Sequence, residues 1–65
     1  MPEPSDRVDE LLVQLRTVEE SLRDLAYDRL REAADGDEGA AVDEKRLLRA
    51  RRAVERAINA LGGES

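Results

Sequence analysis

The stretch VDELLVQLRTVEESLRDLAYDRLREAA, residues 8–34, decides the fold. Val8, Leu11, Leu12, Leu15, Val18, Leu22, Leu25, Ala26, Leu30 and Ala33 recur in it every three or four residues. That period places them along one side of an α-helix. No glycine or proline interrupts the run before Gly36, and Ser5 or Asp6 can cap its start, with Asp6, Asp9 and Glu10 near the positive end of the helix dipole. The pattern predicts a first helix over residues 6–34, roughly 43 Å long at 1.5 Å per residue. Residues 1–5, with two prolines, are expected to form a disordered lead.

The segment Asp35-Gly36-Asp37-Glu38-Gly39 carries turn chemistry, and Gly36 suits the left-handed residue that ends a helix. Asp43 is the better of the available caps for a second helix, so the turn is expected over residues 35–42 and the second helix over 43–61. Its apolar positions are Leu47, Ala50, Val54, Ala57, Ile58 and Leu61, with Ala53 alongside. Alternating steps of four and three, with alanine at every second step, allow two antiparallel helices to approach closely. Gly62 and Gly63 stop the helix and residues 63–65 are expected to be a loose tail. The fold class is therefore all-α: an antiparallel two-helix hairpin over residues 6–62.

Composition bounds what such a hairpin can do. Sixty-five residues make one small domain, which buries a low fraction of its unfolded surface and needs a staple. Cysteine and histidine are both absent, which removes disulfides, thiolate chemistry, the usual zinc sites and imidazole catalysis. Oligomerisation is the staple left, and the expected assembly is a homodimer forming a four-helix bundle. The net charge of −5 argues against a nucleic-acid or anionic-membrane binder. There is no apolar run of spanning length and no signal-peptide pattern, so a cytoplasmic location is expected.

Helix lengths locate the expected interface. With a turn centred near residue 38, opposed residues have numbers adding to roughly 76, because both helices rise equally. Leu61 then lies opposite Leu15, and Val8, Leu11, Leu12 and part of Leu15 have no partner in their own chain. Leaving such side chains in water forgoes roughly 1.5–3 kcal/mol each. The overhang reads as a self-association surface, widened by Val13 next to it. Glu19 and Arg29 fall where the stripe should be dry, and in an antiparallel dimer of first helices Glu19 of one chain could meet Arg29 of the other.

The second helix carries Lys45, Arg49, Arg52 and Arg56 in one line opposite its apolar positions, a candidate surface for an acidic partner. No aromatic is interleaved for base stacking, which leaves a nucleic-acid role as the minor alternative. Asp35, Asp37 and Asp43 match the first, third and ninth places of a calcium loop, but Ala40 stands where glycine belongs and Arg46 where a bidentate carboxylate belongs. No metal or cofactor is expected. Ser5, Ser21 and Ser65 lack an obvious base, and an alanine-rich two-helix core leaves little room for a pocket, so the chain is expected to be non-catalytic. The sequence points to a protein–protein interaction or assembly module that associates with itself. The alternative is a docking or adaptor element that binds a helix of a larger protein.

Overall fold

A computed structural model describes residues 4–62 as two helices joined by a three-residue turn, α1 over Pro4–Ala34 and α2 over Glu38–Gly62. The chain is an all-α hairpin whose two helices pack along their lengths. α1 starts two residues earlier than the sequence pattern suggests, since a proline is tolerated in a first turn, where its missing N–H would have no helical acceptor. The expectation of a disordered lead therefore fails at residues 4 and 5, while residues 1–3 lie outside the described residues. The expected tail, residues 63–65, lies outside them as well.

The turn is shorter than the sequence pattern suggests. α1 ends in a Schellman motif: the Asp37 N–H donates to the Glu32 carbonyl at 3.1 Å and the Gly36 N–H to the Ala33 carbonyl at 3.0 Å. This closure needs a left-handed residue, and Gly36 supplies it with φ of 103°. Asp37 then caps α2 at once, its Oδ1 accepting from the Ala40 N–H at 3.0 Å. Helix 2 accordingly begins at Glu38, five residues before the expected cap Asp43. A Cβ at Gly39 would stand 3.3 Å from Asp37 Oδ1, so the glycine leaves room for the capping carboxylate.

The early start of α2 shifts the register. Glu19 meets Arg51 and Arg29 approaches Asp43, so level residues have numbers adding to 70–72 rather than to roughly 76. Residue 62 then stands level with residues 8–10, and α1 overhangs with at most residues 4–9, in which Val8 is the one large aliphatic side chain. The long unpartnered end expected for α1 is absent because five more residues of α2 are helical.

The seam runs along Val8, Leu12, Leu15, Glu19, Leu22, Ala26, Arg29 and Ala33 of α1, all buried or half-buried. Facing it from α2 are Ala40, Glu44, Leu47, Arg51, Val54 and Ile58. Both lines step by four and three without a break, the heptad period of a coiled coil. Among the described residues only Leu12, Ala26 and Ala40 are truly buried. The molecule measures 52 × 23 × 12 Å, so it is one helix thick.

Candidate interaction surface

A single layer of two helices has one seam and two open sides. On α1, the residues one step off the seam on one side are Leu11, Val18 and Leu25, seven apart and therefore in line. They are 49%, 46% and 41% exposed. On the same side of α2 lie Ala50, Ala53, Ala57 and Ala60, spaced three, four and three, all exposed except the half-buried Ala57. Two shallow hollows tie the two lines to one face of the hairpin: Leu25 shares one with Leu47, Arg46 and Ala50, and Ala50 shares the next with Ala53, Arg49 and Arg56. The result is a continuous apolar face with a ridge of large side chains on α1 and a low strip of alanines on α2.

The opposite side is mixed. Arg23, Tyr27, Leu30, Leu48 and Arg51 line a hollow there, and Tyr27 and Leu30 are 61% and 50% exposed. Charged side chains interrupt the apolar ones at every turn, so no comparable continuous face forms.

The residues singled out from sequence divide between these surfaces. Val8, Leu12 and Leu15 lie in the hairpin's own seam, and Leu12, expected to face another chain, is 8% exposed and among the best-buried side chains. Leu11 does belong to an open face, but as the first of three aligned residues rather than as part of an overhang. Val13, 60% exposed, lies on the far side of α1 from that face. Val18, Leu25 and Leu30, read with the core stripe, are exposed.

Glu19 and Arg29 do sit in the seam, as their helical angle indicates, yet both are paired within their own chain. Arg51 Nε donates to Glu19 Oε1 at 2.6 Å, and Arg29 reaches Glu32 at 2.9 Å and Asp43 at 3.9 Å. Within the hairpin, then, Glu19 and Arg29 each have a partner of opposite charge on the other helix. Arg51 carries no signal in the apolar pattern; its place in the series Glu44, Leu47, Arg51, Val54, Ile58 is what identifies it as a seam residue.

Lys45, Arg49, Arg52 and Arg56 are all exposed on the outside of α2, and none has an ion-pair partner among the described residues. Asp35, Asp37 and Asp43 do not form a calcium loop, because Asp37 is occupied as a cap and residues 38–43 are helical. Among the described residues no group of three or more acidic side chains is arranged to hold a metal ion, and no helix is long and apolar enough to cross a membrane. Comparison with protein-family models, curated proteins and solved structures finds no match.

Proposed function

We propose that this chain is a non-catalytic assembly module that acts by self-association, two hairpins packing through their apolar faces into a four-helix bundle. The observation that carries this reading is the aligned exposure of Leu11, Val18 and Leu25 beside the alanine strip of α2. Among the described residues, a hairpin one helix thick has nothing to place against that face.

The basic line on α2 supports solubility of the assembled bundle and leaves its outer surface charged. Docking onto a helix of a larger protein would use the same apolar face, and mass separates the two readings. Sedimentation equilibrium of the purified chain at micromolar concentration is expected to give twice the mass of one chain. A folded monomer at that concentration would overturn the proposal.

A further inference from the structure

Two-fold symmetry allows two ways of laying one apolar face on another, and they differ in which helices meet. With the axis along the helices, α1 of one chain covers α2 of its copy and both turns lie at one end. With the axis across them, α1 covers α1, α2 covers α2, and the turns lie at opposite ends. We infer that the dimer takes the first form, with the leucine ridge of each chain seated on the alanine strip of the other. The inference rests on the self-association proposed above and adds to it the pairing of helices.

Shape supports this choice. The ridge of Leu11, Val18 and Leu25 is tall and the strip of Ala50, Ala53, Ala57 and Ala60 is low, so crossing them fills both contacts evenly. The other arrangement sets ridge on ridge and strip on strip, which demands two different interhelical distances from one pair of rigid hairpins. The register is also fixed in the first form, because rotation about an axis along the helices moves nothing along it. Residues level within one hairpin, with numbers adding to 70–72, are then level across the interface too, which seats Val18 over Ala53 of the copy and Leu11 over Ala60.

Charge supports it independently. Along the outer edge of the face, α1 presents Asp24 and Asp28 in its middle to last turns, and α2 presents Arg46, Arg49 and Arg56, the last level with Gln14 of the copy. Asp28, Arg46 and Arg49 have no ion-pair partner among the described residues, and Asp24 only reaches its neighbour Arg23 at 4.0 Å. Crossed helices bring Asp28 within one turn of the copy's Arg46 and Asp24 within one turn of its Arg49, twice by symmetry. Like helices would set the arginine edge against itself. Arg7 and Arg31, also on the edge of α1, lie toward its two ends, Arg31 opposite Val42 of the copy. Near the turn the acids Glu32 and Asp43 already share Arg29 of their own chain.

The absence of cysteine makes the test direct. Chains carrying Val18→Cys and Ala53→Cys are mixed under reducing conditions and then oxidised, alongside each variant alone, with Leu11→Cys and Ala60→Cys as a second pair. The crossed arrangement yields disulfide-linked heterodimer from each mixture and no linked dimer from any single variant. Linked homodimer from Val18→Cys or Leu11→Cys alone would overturn the crossed arrangement while leaving self-association intact. Monomeric mass for the reduced variants and the unmodified chain alike would overturn both.

Discussion

Glu19 and Arg51 meet across the middle of the seam at 2.6 Å, with their side chains 16% and 31% exposed, and they set the register of one helix against the other. The two ends of this pair are not equivalent. Arg51 keeps a second carboxylate, Glu55 at 3.2 Å, whereas Glu19 has Arg51 alone among the described residues. Arg51→Ala is therefore expected to cost about 1–2 kcal/mol, by leaving a carboxylate unpaired in a half-dry seam, and Glu19→Ala less than about 1 kcal/mol. Replacing both by leucine restores or raises stability, since an apolar pair of similar volume carries no desolvation cost. Urea denaturation ranks the four proteins, and equal costs for the two single changes would contradict the asymmetry.

The turn concentrates two effects in adjacent residues. Gly36 holds φ of 103°, a conformation that costs an L-residue roughly 1–2 kcal/mol, so Gly36→Ala is expected to destabilise by about that amount. Asp37→Ala removes the Oδ1 acceptor from the Ala40 N–H and is expected to cost about 1 kcal/mol. Asp43→Ala, at a residue with no capping role, is expected to change stability by less than about 0.5 kcal/mol. Thermal unfolding followed by circular dichroism ranks the three, and a larger loss for Asp43 than for Asp37 would contradict the observed start of α2.

Neighbouring leucines are expected to behave in opposite ways. Leu12 is 8% exposed in the seam, so Leu12→Ala removes buried methyl groups from a thin core and is expected to cost about 2 kcal/mol, the low end for such changes. Leu11 is 49% exposed on the open face, so Leu11→Asp is expected to leave the monomer's helicity in place and to lower dimer mass instead. Sedimentation and far-ultraviolet dichroism on both variants separate folding from association.

How much of the fold is legible in the sequence depends on whether neighbouring residues agree. The uninterrupted apolar period of residues 8–34 and the glycines after it specify two helices and a reversal. Two aspartates compete to cap the second helix, and the backbone decides for Asp37 because a Schellman closure at Gly36 already aims the chain into a helix. That five-residue difference moves the register from roughly 76 to 70–72 and takes Leu12 from a supposed interface into the core. A stripe read at 3.6 residues per turn also merges two lines that a 3.5-residue seam separates, which is why Val18 and Leu25 pass for core. The seam charges Glu19 and Arg29 are visible as misfits, but their partners Arg51 and Asp43 come from the other helix and depend on the register.

If the face of Leu11, Val18 and Leu25 is covered by a second chain, stability must depend on concentration. A dimer that unfolds to monomers gains stability with total protein by mass action, so the midpoint of thermal unfolding is expected to rise over a hundredfold range of concentration. Val18→Arg places a cation in the centre of the ridge, where the crossed bundle seats it on the Ala53 hollow that Arg49 and Arg56 of the copy already line. That variant is expected to unfold at a lower midpoint that no longer varies with concentration, while Glu20→Gln, outside the face, retains the dependence. A midpoint constant with concentration for the unmodified chain would show that the hairpin is stable by its own seam alone.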